Sequence, residues 1–205
     1  MITIKRFRRI EAAVIAAGFA ENIAWSENVP APVDADALAC EAIFVICNSG
    51  MLTQTAIIIY DRVMDVLGRH GRVGIVFRHR KKVAAIKFIW RHRVQLFDEF
   101  AIAEDKLAFC RGLPFIGPVT QYHLAKNLGV DTAKPDLHLA RLAERDGLDP
   151  HVLCARIAAK TGYRVATVDT ILWRACVEGL INSRVYEKQG WRAATKALRK
   201  ASRHP

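Results

Sequence analysis

The residues whose types and spacing could do chemistry are concentrated between Leu113 and Arg141. Gly117-Pro118 marks a tight turn, and proline suits the first position of a helix, where an N–H has no partner anyway. Val119, Tyr122, His123 and Leu124 then fall at helical spacing, and Gly129 stops the run. A turn feeding a helix in this way leaves backbone N–H groups unpaired at the positive end of the helix dipole. That is a phosphate seat which reads no sequence. A loop over 130–135 leads to Asp136 at the head of a second helix. Its carboxylate reads either as the N-cap of that helix or as a working group. Ionised at neutral pH, such a group stabilises positive charge as it develops and orients an attacking water.

Other chemistries find less in the chain. The five cysteines, Cys40, Cys47, Cys110, Cys154 and Cys176, include no C-x-x-C pair, and their odd number argues against a disulfide framework. Most lie in apolar segments and read as buried thiols. No histidine pairs with a cysteine at zinc-ligand spacing.

The elements that must position these residues read as helices throughout, so the expected fold class is all-α. The periodicity predicts a basic amphipathic helix from Ile4 to Ala17, ended by Gly18, and a connector from Phe19 to Ala35. An apolar helix follows over 36–48, then a short loop Asn48 to Leu52, then a helix from Thr53 to Leu67. Between Arg69 and Arg93, Arg78, His79, Arg80, Lys81, Lys82, Lys87, Arg91, His92 and Arg93 interleave with Val83, Ile86, Ile89 and Trp90. That pattern is an amphipathic basic helix, which serves as a solvated face, a membrane-surface helix or a rail along a DNA backbone. Leu96 to Phe109 is expected to form the helix before the turn. Helices after Asp136, from Pro150 and across Tyr163 to Gly179 complete the set, with a short exposed basic helix over 188–205. No segment carries strand periodicity.

Composition bounds the partner. With 205 residues, of which 52% are hydrophobic, the chain builds a core and is not disordered. A formal net charge of +11 favours a polyanion. No run approaches the roughly 20 apolar residues of a bilayer span, and the start of the chain lacks a signal-peptide layout. A cytoplasmic monomer is expected, nucleoid-associated if bacterial.

LPFIGPVT at 113–120 followed by KPDLHLARLA at 134–143 resembles the helix-hairpin-helix DNA glycosylases, the superfamily of endonuclease III and of the alkylpurine and 8-oxoguanine glycosylases. Leu113, Pro114 and Gly117 fall on the family's Leu-Pro-Gly-x-Gly hairpin. Asp136, His138 and Arg141 fall on its V-D-x-H-x-x-R pattern. The resemblance implies two helical lobes with a cleft between them, residues 1–35 with 146–205 and residues 36–145, the latter holding the hairpin at 113–118. It implies backbone contacts to double-stranded DNA by Leu113, Phe115, Gly117, Val119 and Thr120, and catalysis by Asp136. Two departures shape the reading. Phe115 stands where the first hairpin glycine belongs, so the turn is built around a bulky residue. Val119 stands where lyase members carry their Schiff-base lysine, and an apolar side chain cannot attack a sugar carbon. The implied enzyme therefore hydrolyses the N-glycosidic bond of a damaged or modified base without cutting the strand. No cofactor is implied beyond a monovalent cation at the hairpin, and no cluster-ligating cysteines follow Cys176.

Glu41 to Val66 is similar to the helix and loop that 8-oxoguanine glycosylases push into the duplex. Met51 and Leu52 are thus candidates for the wedge that fills the gap left by an extruded base. Trp25, Glu41, Asn48, Tyr122, His123, Asp169 and Trp173 are the candidates for the base pocket, each with an ordinary packing role as its other reading. His138 is expected to pack or bond near Asp136. Two alternatives stay open: a non-catalytic DNA lesion or structure binder using the same hairpin, and a glycosylase/lyase with a relocated lysine such as Lys126 or Lys134. The likeness around Cys47-Asn48-Ser49 points to oxidised purines. The missing lysine and Lys134-Pro135-Asp136 point to alkylated or deaminated bases.

Overall fold

The computed structural model describes residues 1–201, with side chains as far as residue 198. It is all-α, with fifteen helices and no strand among the described residues. The chain forms two compact units, Met1–Val29 with Asp131–Pro205, and Pro30–Val130.

The first unit begins with α1 (Ile4–Ala16) and α2 (Ala20–Asn28). The second holds α3 (Ala35–Asn48), α4 (Thr53–Gly68), α5 (Val73–Val76), α6 (Arg80–Arg91), α7 (Arg93–Ile102), α8 (Lys106–Gly112) and α9 (Thr120–Asn127). The chain then returns to the first unit with α10 (Leu137–Arg145), α11 (Pro150–Thr161), α12 (Val165–Val177), α13 (Ser183–Gln189), α14 (Trp191–Ala194) and α15 (Lys196–Ala201).

In the first unit α12 is the central helix. Its Val168, Ile171, Leu172 and Ala175 are sealed from solvent with Phe7, Ile10 and Val14 of α1 and Leu153 and Ile157 of α11. Leu139, Leu142 and Ala143 of α10 enter the same core. Burial of that apolar stripe assigns α10, and with it Asp136, to the unit formed by the two ends of the chain. The division therefore falls at Val29/Pro30 and Val130/Asp131 rather than at 35/36 and 145/146. Asp146 closes the unit: its buried carboxylate accepts from the Ile2 N–H at 2.6 Å and the Tyr186 hydroxyl at 2.8 Å, and lies 3.2 Å from the N-terminal ammonium.

In the second unit α3 is central, with Leu38, Ala39, Ala42, Ile43, Val45, Ile46 and Cys47 buried. Gly129 lies near the end of this unit at φ +82°, and a Cβ there would sit 2.8 Å from the Pro30 carbonyl carbon and the Ala31 nitrogen. Only glycine lets those two ends of the unit approach so closely.

Three local expectations change. The 19–35 connector contains α2, because Ile23 and Ser26 face inward one turn apart. The single helix expected over 96–109 is two, since Asp105 caps α8 by accepting from the N–H groups of Leu107 and Ala108. The tail is not simply exposed: Ala194 and Leu198 join the first core. Its last positions, 202–205, lie outside the described residues. No described helix is long and apolar enough to cross a membrane.

Candidate nucleic-acid interface and carboxylate

The turn between α8 and α9 takes its shape from local hydrogen bonds. The Leu113 N–H donates to the Cys110 carbonyl, and the Ile116 N–H to that of Leu113. Leu113 and Ile116 point inward, each 6% exposed, and anchor the turn to the core. Phe115 between them adopts φ +68°. A left-handed conformation costs a non-glycine residue about 1–2 kcal/mol, so the backbone has the form of a glycine position filled by phenylalanine. The Gly117 N–H donates to Thr120 Oγ1 at 2.6 Å. That donor is therefore occupied, contrary to a turn whose glycine N–H is open. The N–H groups of Phe115, Val119 and Thr120 have no acceptor among the described residues. They are what the turn offers to an anion. Val119 is 41% exposed beside them.

The same unit carries an uncompensated cationic face. From Val66 to Phe97 the chain has no Asp or Glu. Arg69 pairs with Asp65 and Arg93 with Asp36. Arg78, Arg80, Lys81, Lys87 and Arg91 are exposed and form no salt bridge among the described residues. A surface of that kind attracts a polyanion and loses the attraction in salt.

Lys82 belongs to the same run in sequence but not on that face. It is 3% exposed. Its Nζ donates to the Ser49 carbonyl at 2.6 Å and the Cys47 carbonyl at 3.1 Å, and stands over the rings of Phe77 and Phe115 at 5.3 and 5.7 Å. Burial lowers the affinity of Lys82 for its proton. Its place in a basic run suggests a surface cation, and the structure corrects that expectation. Its spacing with Ala85, Ile86 and Ile89, all buried, is the sequence signal for the observed placement.

The wedge and pocket candidates of this unit separate. Leu52 is 77% exposed, whereas Met51 packs against the core. Asn48 has a buried Oδ1 with no hydrogen-bond partner. Glu41 is half-buried and accepts from Asn127 Nδ2 at 2.8 Å. Burial raises its carboxyl above the usual range, with the Asn127 bond working against the rise. Tyr122 and His123 are half-buried, and His123 meets Phe44 edge-on at 6.3 Å.

In the first unit Asp136 caps α10. Its Oδ1 accepts from the N–H groups of His138 at 2.9 Å and Leu139 at 3.0 Å. Its Oδ2 has no hydrogen bond among the described residues. Asp105 and Asp149 cap their helices in the same manner and Asp34 accepts from the Ala37 N–H alone, but all three are exposed. Asp136 alone of the four is half-buried. Its charge reaches Cys176, whose thiol is pushed up to about 12, chiefly by burial and secondly by Asp136.

Asp169, 2% exposed on α12, accepts from the Lys134 N–H at 3.2 Å, and the Lys134 carbonyl accepts from the Asp136 N–H at 2.8 Å. The buried carboxylate thus braces the loop that delivers Asp136. His138 Nδ1 lies 3.0 Å from Ser183 Oγ, which fixes the ring beside the cap; no sequence signal singles out Ser183. Trp173 is half-buried under the Arg174 guanidinium at 4.7 Å. Trp25 is 49% exposed on α2. Lys134 and Lys126, the alternative nucleophiles, are half-buried. No family model matches the chain, and neither a curated protein nor a solved structure does.

Proposed function

We propose that this chain is a monofunctional DNA glycosylase of the helix-hairpin-helix kind, acting on a damaged or modified base in double-stranded DNA. The observation that carries the reading is Asp136. It is the half-buried member of the four Asp caps, clamped through one oxygen and leaving the other without a partner among the described residues. A carboxylate oriented by two N–H donors reorganises little when charge develops near it. In the reaction the C1′–N bond breaks and its electron pair leaves with the base. The sugar becomes oxocarbenium-like, and Asp136 offsets that charge through Oδ2 and orients the water that forms the new C1′–O bond; the proton the water gives up balances the one the departing base takes up.

DNA is the polyanion that suits the cationic face of α6 and the open N–H groups before α9. Leu52 is the wedge, because it is the exposed one of the two candidates. Val119 supplies no amine, so the product is an abasic site in an intact strand.

A panel of single-lesion duplexes, read by alkali cleavage after incubation, tests the proposal. Base release on one class of lesion, absent with Asp136→Asn, is the expected result. DNA binding with no release on any lesion would replace it with the non-catalytic binder.

A further inference from the structure

Phe115 is costly where it stands. A bulky residue at φ +68° carries strain that glycine would not. Lys82 is costly too, a lysine 3% exposed with no carboxylate pairing it among the described residues. The two costs meet at one place. The Lys82 ammonium lies over the Phe115 ring at 5.7 Å, and His79 meets the same ring edge-on at 5.5 Å while its Nδ1 accepts from the Lys82 N–H. On its other side the ammonium donates to the carbonyls of Cys47 and Ser49. Those carbonyls end α3, where the helix dipole is negative. Ser49 opens the loop that carries Leu52.

We propose that Lys82 is a positioning residue that ties the 49–52 loop to the 113–117 turn, so that wedge and backbone grip move as one piece. The tie explains the phenylalanine: an aromatic face at 115 is the group a glycine could not provide. A desolvated ammonium against a ring gains more than it would in water, and two carbonyl acceptors satisfy it further. Replacing that charge by an apolar side chain removes a cross-link and leaves the exposed cations of α6 as they were, since Lys82 is a buried residue. The role in DNA distortion rests on the glycosylase reading; the tie itself does not.

The test has two arms. In the first, a double-mutant cycle of Lys82→Met and Phe115→Leu is measured by urea unfolding, with amide exchange followed at residues 49–52. The expected results are non-additivity of at least about threefold in the unfolding constant and faster exchange in the loop of Lys82→Met. Additive effects with unchanged exchange overturn the tie. In the second, the protein is titrated onto a duplex carrying a tetrahydrofuran abasic analogue beside 2-aminopurine. Lys82→Met should bind within about threefold of the wild type yet lose half or more of the fluorescence rise at saturation, the loss also expected of Leu52→Ala. A full rise with Lys82→Met refutes the positioning role. Should Lys82→Met not fold, Phe115→Gly cuts the tie from the turn side while relieving the strained φ, and the same loss of signal is expected. A wild type that binds no DNA sinks the glycosylase reading, and the first arm still decides the tie.

Discussion

Asp136→Asn separates the two roles open to this residue. Oδ1 accepts from the His138 and Leu139 N–H groups at 2.9 and 3.0 Å, and an asparagine Oδ1 makes the same bonds. As helix caps Asn and Asp are about equal. The stability lost is then only the interaction of the charge with the helix N-terminus, about 0.3–1 kcal/mol. In a chain of this size that is a fall in Tm of about 1–4 °C. Asp136→Ala also loses the cap, for a further cost of about 1 kcal/mol. Catalysis responds in the opposite order of size. Removing one preorganised electrostatic group costs about 10²–10³ in rate, or about 2.7–4 kcal/mol of barrier. Single-turnover base release followed by alkali cleavage measures that, with thermal unfolding and DNA affinity measured alongside. Asp136→Asn should fold, bind DNA at least as well as the wild type, and release base at least about 100-fold more slowly. If it releases base at the wild-type rate, Asp136 is a cap and nothing more, and the assignment is wrong.

Substituting Arg80, Lys81 and Lys87 by Gln should weaken DNA binding uniformly across sequences. The slope of log affinity against log salt falls by about 0.9 for each phosphate no longer neutralised, read from anisotropy titrations; an unchanged slope would move the DNA off α6. Borohydride should trap no protein–DNA adduct with the wild type, and an adduct mapped to Lys134 or Lys126 would make the enzyme a lyase. Gly129→Ala should destabilise the protein by at least about 2 kcal/mol in urea unfolding, combining a left-handed φ with a Cβ 2.8 Å from the Pro30–Ala31 backbone. Glu41 gives a pH signature. Its carboxyl is raised by burial, so the ionised form penalises the folded state, and stability is lost as pH rises through the folded pKa. Glu41→Gln should gain stability relative to wild type at neutral pH, and the gain should vanish at pH values below the ordinary carboxylate range. Denaturant midpoints at two pH values suffice, and an equal difference at both would show that the charge is not the cause.

Periodicity and punctuation are enough for the all-α class and for most helix limits, because the apolar residues at 36–48, 53–67 and 165–177 fit helical spacing and end at, or within two residues of, a Gly or Asn. The Asp136 cap is equally legible, since capping is local: a carboxylate, a β-region backbone and two N–H groups within three residues. The placement of charged and aromatic side chains is not. Lys82 and Lys81 are neighbours of one type, and only packing against α3 buries the first and leaves the second in water. Met51 and Leu52 are interchangeable in sequence until the core claims one of them. Asp169 becomes the brace of the Asp136 loop by reaching a backbone N–H 35 positions away along the chain. Hydrogen bonds within a turn are written in the order of residues, whereas burial is a property of what comes back to cover them, and that is decided only when the helices pack.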